Sequence, residues 1–290
     1  MKKIAFLGLG VMGFHIASHL LKSNKLTIYN RTIKKSLKFK KLFKNEEIII
    51  AKNPSEAVKD NEIILSCLGN DKDLKEVYFS KYGIYDSLLP NTYIIDHTTV
   101  SSKTAVYCFR KFANKKCYFL DAPVSGGEIG AKNGSLSIMV GGKKETFIEL
   151  ETILERYSKS LIYMGKSGDG QLAKMVNQIC VAGVLQGLSE GLNFGKKNGL
   201  TYSKLISAIQ NGAAQSWQMD NRSKTMWNDK FDFGFMNKWM KKDLLIVDEI
   251  AKEQKIPIPI TSQIIKRYSK LIEQGFDKLD TSSLIKLLKN

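Results

Sequence analysis

Histidine, cysteine and acidic residues are scarce in this chain of 290 residues. Long uninterrupted apolar runs are missing altogether. The three histidines are His15, His19 and His97. His15 and His19 stand at i, i+4, a spacing that holds a metal only when a further ligand joins it. No carboxylate is placed to do so, so a surface helix face is expected there and no metal site. The four cysteines, Cys67, Cys108, Cys117 and Cys180, are scattered with no C-x-x-C pair. Cys67 and Cys117 fall in apolar strand patterns, which suits buried free thiols in a reducing compartment and a cytoplasmic location. The longest apolar stretch, Leu172 to Phe194, is interrupted by Lys174, Asn177, Gln178, Gln186, Glu190 and Asn193. It reads as a helix buried in protein rather than a membrane span. The N-terminus enters a strand directly, so no signal peptide is expected. Internal repeats and low-complexity linkers are also missing.

The shortage of acid leaves 45 Lys and Arg against 28 Asp and Glu, a net charge of +17. Such a balance invites a nucleic-acid partner. The lysines, however, do not gather in a tail. They spread over helix faces at Lys34, Lys35, Lys38, Lys40, Lys41 and Lys44, then Lys196 and Lys197, then Lys286 and Lys289. Between Thr32 and Lys44 they interleave with Ile33, Leu37 and Phe43, as in an amphipathic helix with a solvated face. The abundance of Ile and Asn points to nucleotide bias in the genome as a source of lysine. No nucleic-acid partner is therefore expected.

What the chain does have begins at its N-terminus. Lys2 to Leu7 is an apolar, β-prone run, and Gly8-Leu9-Gly10-Val11-Met12-Gly13 follows it. From Phe14 to Lys22 apolar residues recur at helical spacing, at Ile16, Ala17, Leu20 and Leu21. G-x-G-x-x-G between a first strand and a first helix is the dinucleotide-binding fingerprint. Its glycines allow a tight turn, close approach of a pyrophosphate and close helix packing. The helix N-terminus offers unpaired N–H groups to the phosphates. A glycine-rich turn that binds no nucleotide is the simpler alternative.

Strand patterns then recur at 26–29, 48–50, 63–67, 93–96, 118–121, 136–140 and 161–163, with helical patterns between several of them. This alternation predicts an α/β Rossmann-type, doubly wound parallel sheet. Past Gly165 the strands stop. Helices are expected from Gly170 to about Lys196, and over 202–210, 215–225, 237–253, 262–274 and 282–289. The chain thus divides into residues 1–165, a sheet domain, and 166–290, an all-α C-terminal domain.

The end of the second strand discriminates between cofactors, because an acid there binds the ribose 2′-hydroxyl of NAD. This chain has Asn30-Arg31-Thr32 instead, with lysines at 34 and 35. An arginine pairs with a 2′-phosphate and stacks on adenine, so NADP(H) is preferred over NAD(H). Otherwise Arg31 merely ends the strand.

Three more segments carry chemistry. Asp121-Ala122-Pro123-Val124-Ser125-Gly126-Gly127 ends a strand, with a hydroxyl and exposed glycine N–H groups suited to a small carboxylate. Gly168-x-Gly170-x-x-x-Lys174-x-x-Asn177 opens the long helix and sets Lys174 and Asn177 on one face. A lysine on an apolar helix is either a snorkelling side chain or a buried ammonium ready to give up its proton. Spacing leaves the two even. Phe235 to Asp243 sets aromatics beside Lys242 and Asp243, which could line a cleft. On composition it is more often a core-plus-surface helix.

Together with Asp96-His97-Thr98-Thr99-Val100 and Lys242-Asp243-Leu244, these segments resemble the β-hydroxyacid dehydrogenase family. Its members include 3-hydroxyisobutyrate dehydrogenases and glyoxylate or succinic semialdehyde reductases. Five segments in the family's order cover nearly the whole chain. The resemblance implies that Lys174 is the catalytic acid. Ser125, Gly126, Gly127 and Asn177 would bind the substrate carboxylate, with Thr99 near substrate and nicotinamide. Phe235 and Asp243 would border the pocket. Gly8, Leu9, Gly10, Val11, Met12, Gly13, Asn30, Arg31, Thr32, Leu68 and Lys242 would hold the cofactor. Asn30-Arg31-Thr32 resembles the NADPH-preferring, semialdehyde-reducing branch, and the retained Lys174 argues against imine reductases. Two departures stand near the expected nicotinamide site: Cys67-Leu68-Gly69 for the usual hydrophobic-Leu-Pro, and His97 for a small or apolar residue. The expected function is reduction of short aldehyde acids. The alternatives are oxidation of a 3-hydroxy acid, a sulfonate-specific dehydrogenase and a non-enzymatic nucleic-acid binder. A homodimer or homotetramer is expected from the long apolar helix.

Overall fold

The computed structural model describes residues 2–21 and 24–288. The helix end expected at Lys22, and Lys289, lie outside them. The chain forms two compact units, Met1–Lys174 and Met175–Asn290.

The first unit is built on a nine-stranded sheet. Its strands are β1 (Lys2–Leu7), β2 (Asn24–Tyr29), β3 (Ile48–Ile50), β4 (Ile63–Ser66), β5 (Tyr93–Asp96), β6 (Tyr118–Asp121), β7 (Val124–Ser125), β8 (Leu136–Gly142) and β9 (Ser158–Gly165). The order is β3-β2-β1-β4-β5-β6-β8-β7, with β9 pairing β8. Strands β1 to β6 run parallel. The sheet is not parallel throughout, because β8 runs antiparallel to both β6 and β7 while β9 is parallel to β8. The short path from β7 to β8, through one small helix, reverses the chain there.

Alternation along the central strands sends successive side chains to opposite faces. Ile4, Phe6, Ile63, Leu65, Ile95 and Leu120 enter one core. Ala5, Leu7, Ile64, Ile94 and Phe119 enter the other. Both faces are covered by helices: α1 (Val11–His19), α2 (Ile33–Leu42), α3 (Pro54–Val58), α4 (Asp71–Phe79), α5 (Ser102–Asn114), α6 (Gly127–Asn133) and α7 (Lys144–Leu154). Sequence patterning missed α4 and α6. α4 is capped by Asn70, whose side chain accepts from the Asp73 N–H, and it buries Leu74 and Tyr78 four residues apart.

The lysine-rich helix α2 is turned differently from the expectation. Ile33 and Leu37 face outward, and only Ser36 and Phe39 are buried. Ten residues form only a marginal helix alone. Burying one phenylalanine contributes about 1.5–3 kcal/mol, so Phe39 is the main anchor of an otherwise solvated helix. His15 and His19 also differ from the surface face expected. Both are half-buried, with His19 Nε2 2.9 Å from the Ala131 carbonyl and His15 Nε2 3.8 Å from Glu128. No metal-ligating cluster of three occurs among the described residues. Cys108 and Cys117 are buried, and Cys67 is half-buried rather than buried.

A Cβ at Gly13 would collide with the Gly8 carbonyl oxygen, whereas one at Gly10 meets nothing within 4 Å. Gly13→Ala is therefore expected to cost about 2 kcal/mol, as overpacking does, and Gly10→Ala about 0.5 kcal/mol or less. Urea unfolding of the two variants checks this. Equal midpoints would refute the packing account of Gly13.

The second unit contains most of α8 (Asp169–Lys197), then α9 (Tyr202–Ile209), α10 (Trp217–Trp227), α11 (Asn237–Gln254) and α12 (Pro259–Glu273). The C-terminal segment Thr281–Leu288 is a 3-10 helix. Ala182, Leu185, Met240, Leu244, Ile264, Tyr268 and Leu271 form its main core. No described helix is long and apolar enough to cross a membrane.

Candidate active site

The parallel strands end together, so their C-terminal loops collect along one edge of the sheet. Helix α1 starts there with no side-chain cap and no acid in its first turn. The open space at Gly10 lets a ligand reach that backbone. Both observations suit a dinucleotide pyrophosphate. Asn30 braces the turn: its Oδ1 accepts from the Leu9 N–H at 2.9 Å and its Nδ2 donates to the Thr32 carbonyl at 3.0 Å. Val11 is exposed and Met12 half-buried in the first turn of the helix. Arg31 and Thr32 are exposed, and the Arg31 guanidinium lies 3.1 Å from Asp73.

A buried chain of hydroxyls holds the next two loops. The Leu68 N–H donates to Thr98 Oγ1 at 2.9 Å, and that hydroxyl donates to Asp96 Oδ1 at 2.6 Å. Ser66 donates to the same oxygen at 2.7 Å. Asp96 Oδ2 has no partner among the described residues. Burial pushes the Asp96 carboxyl up to about 7, with the nearby Asp121 adding to the push and the Thr98 and Ser66 bonds opposing it. Beside it, burial lowers His97 to about 4. A neutral imidazole has one donor and one acceptor. The Ala122 carbonyl, 2.7 Å from Nδ1, can only accept, so Nδ1 carries the proton and Nε2 accepts from the Tyr157 hydroxyl at 2.9 Å. His97 thus joins the loop after β5 to the short link between β6 and β7.

Ser125 lies in β7, opposite Ser137. Gly126 and Gly127 have φ of 128° and 63°, and they begin α6 rather than an open loop. A Cβ at Gly127 would meet nothing within 4 Å, so its backbone is accessible.

Two residues to which the sequence assigns no role of their own lock the start of α8. Asp121 Oδ1 accepts from the Gly168 N–H at 2.8 Å and from Ser167 Oγ at 3.2 Å, and Oδ2 accepts from the Gln171 N–H at 3.1 Å. Burial raises the Asp121 pKa, and these three bonds oppose the rise. The Gln171 side chain donates to the Thr98 carbonyl at 2.8 Å and accepts from the Val100 N–H at 3.2 Å. It therefore brackets Thr99 between two hydrogen bonds. Lys174 follows one turn later and is 7% exposed. A polar residue at an apolar helix start was the available signal for Gln171. For Asp121 it was an acid at a strand end.

In the second unit, Asn177 Nδ2 donates to Gln178 Oε1 at 2.8 Å, and Gln178 Nε2 donates to Asp243 Oδ2 at 2.7 Å. Lys242 Nζ is 2.9 Å from Asp243 Oδ1. Gln178, overlooked in sequence, links three of the expected residues into one chain. Phe235 stands apart from that chain. Its ring packs against the main core of this unit and its N–H donates to Asp280 at 3.0 Å.

Residues 3–165 match the family model for the NAD-binding domain of 6-phosphogluconate dehydrogenase. Residues 168–288 match that for the NAD-binding region of NADP-dependent 3-hydroxyisobutyrate dehydrogenase. An uncharacterized oxidoreductase of Shewanella frigidimarina is 42% identical over 100% of this chain and 99% of its own. A probable 3-hydroxyisobutyrate dehydrogenase-like protein of Arabidopsis thaliana is 33% identical over 99% of this chain and 85% of its own. The structure of Mycobacterium tuberculosis 3-hydroxyisobutyrate dehydrogenase with L-serine superposes with a TM-score of 0.89, at 25% identity, over 100% of both chains. The Rossmann-like sheet and the helical second unit have their counterpart in that structure, and this chain belongs to the β-hydroxyacid dehydrogenase family, as an NAD(P)-dependent oxidoreductase acting on CH–OH groups.

Proposed function

We propose that this enzyme is an NADPH-preferring reductase of short aldehyde acids, such as glyoxylate or succinic semialdehyde, forming the hydroxy acids. The observation that carries this reading is a nearly buried lysine, Lys174, one turn beyond a helix start locked to the sheet edge by Asp121 and Gln171. In this reading residues 1–165 bind NADP(H), and residues 166–290 supply substrate contacts and a dimer interface. The nicotinamide, when bound, supplies the hydride.

The chain's own residues do the rest. Lys174 Nζ gives its proton to the carbonyl oxygen as negative charge develops there, and takes it back in the reverse direction. Ser125 with the N–H groups of Gly126 and Gly127 holds the substrate carboxylate, and Asn177 helps to orient the carbonyl. Thr99 and Leu68 border the nicotinamide site, with their loops tied together by Thr98. In the same reading Asp243 and Phe235 border the substrate pocket, and Lys242 touches the cofactor. Fixing donor, acid and carboxylate clamp in one geometry supplies much of the rate.

A spectrophotometric screen of NADPH and NADH oxidation against small carbonyl acids tests the reading. NADPH oxidation with at least one aldehyde acid is expected. Turnover confined to oxidation of a 3-hydroxy acid with NAD would refute it.

Gln171 offers a finer test. Gln171→Leu removes both bonds to the Thr98–Val100 segment and leaves a buried N–H and C=O unpaired. Turnover is expected to fall about 10-fold to 100-fold, the size of a small misplacement of reacting groups, with cofactor affinity little changed. A folded variant with wild-type turnover would remove Gln171 from the positioning machinery.

A further inference from the structure

We propose that Asp73 tunes the choice between NADPH and NADH, by holding a carboxylate against the guanidinium that reads the ribose 2′ position. This rests on the reading of Arg31 as that guanidinium. In sequence the end of β2 offers no acid: Asn30, Arg31 and Thr32 are followed by lysines at 34 and 35. The fold supplies one from elsewhere. Strand β1 lies between β2 and β4, so the loops after β2 and β4 flank the glycine turn at the end of β1. From those two sides Arg31 Nη1 and Asp73 Oδ1 approach to 3.1 Å, 42 residues apart in the chain.

The two partners are not equally held. Asp73 is fixed in the first turn of α4, where its N–H donates to the capping Asn70 side chain at 2.9 Å. Its side chain is 24% exposed, against 75% for Arg31. An ion pair this exposed is weak, so Arg31 exchanges its carboxylate for another anion at little cost. Glu76, one turn further along α4, adds negative charge to the same neighbourhood. Tyr29, at the end of β2, has its pKa raised first by burial, then lowered by Arg31 and raised by Glu76. Asp73 thus faces Arg31 directly, and Glu76 acts on the same strand end.

The consequence differs for the two cofactors. A 2′-phosphate carries a charge of about −1.5 to −2 near neutrality, as phosphomonoesters do. Pairing with Arg31 brings it onto a guanidinium already facing Asp73, and the two anions repel. A 2′-hydroxyl is a neutral donor, and its usual partner in NAD-binding folds is a carboxylate at the end of the second strand, whose place beside Arg31 would be taken by Asp73 from α4. Arg31 favours NADPH, while Asp73 penalises NADPH and supports NADH. The enzyme is thus less strict towards NADH than Asn30-Arg31-Thr32 alone implies.

Equilibrium dissociation constants of NADPH and NADH, measured on the full chain by nicotinamide fluorescence titration, test this directly. Asp73→Asn is expected to raise the ratio Kd(NADH)/Kd(NADPH) about threefold to fivefold, the size of one partly screened charge interaction. The shift should shrink at high salt. Asp73→Glu keeps the charge and should keep a ratio near the wild-type value. A ratio in Asp73→Asn within about twofold of wild type would overturn the proposal. Equal weakening of both cofactors would also overturn it, since that marks a fold effect. Wild-type protein that binds NADH more tightly than NADPH would refute the NADPH preference proposed above. An upward shift of the ratio in Asp73→Asn would still uphold the role of Asp73.

Discussion

Lys174→Ala is expected to lower turnover about a thousandfold while leaving NADPH affinity within about threefold of wild type. General acid catalysis contributes roughly 10²–10⁴ in rate, and no other described ammonium lies on the first two turns of α8. Single-turnover kinetics with saturating NADPH separates the chemical step from binding. Lys174→Arg should not restore activity, because a guanidinium holds its proton at every working pH. A cation that only attracts the substrate carboxylate would, by contrast, be replaced well by arginine. Wild-type-like turnover in Lys174→Ala would exclude this lysine as the proton donor.

Asp96→Asn is expected to make stability rise between pH 4 and pH 7, where these two residues leave the wild type nearly level. Asp96 titrates near 7 in the folded chain, against 3.8 ordinarily. Its folded pKa is raised, so its contribution is fully present below pH 4 and lost as the pH rises through 7. A shift of this size corresponds to about 4 kcal/mol. His97 has the opposite sign. Its imidazole is depressed to about 4 from 6.5, so its contribution is present above pH 6.5 and lost as the pH falls through 4. That loss is about 3 kcal/mol. In the wild type the two neighbouring residues nearly cancel across this window. With asparagine at 96 the His97 contribution stands alone, and the variant gains stability relative to wild type as the pH rises. Urea unfolding at pH 4.5, 5.5 and 7 measures the difference. A constant gap between variant and wild type would show that Asp96 does not titrate in this range.

Much of the fold was legible because it follows local rules. The apolar runs at β1, β4, β5 and β6 are buried on both faces, so they read as unbroken hydrophobic segments. Ser101 caps α5, accepting from the Thr104 N–H, an N-cap signal of the local kind. The elements that escaped notice are short and carry few apolar residues. α6 is seven residues long and begins at two glycines that read as a loop. α4 had a usable signal in Asn70 followed by Asp71 and Asp73, an N-cap with an acidic first turn. The direction of β8 could not be read, because periodicity is the same for parallel and antiparallel strands.

The candidate site divides in the same way. The chemical groups on offer are readable along the chain: a glycine turn before a helix, an arginine at a strand end, a serine before two glycines, and a lysine on an apolar helix. These depend on residue type and short spacing, which survive in one dimension. What those groups face depends on the folded chain. It set Asp121 under the start of α8, wrapped Gln171 around Thr99, and buried His97 between Ala122 and Tyr157. It also brought Asp73 to Arg31 from 42 residues away, so a carboxylate faces this arginine although none stands beside it in the chain. Charge acts through distance in space, and strand order in the sheet, not position along the chain, sets that distance.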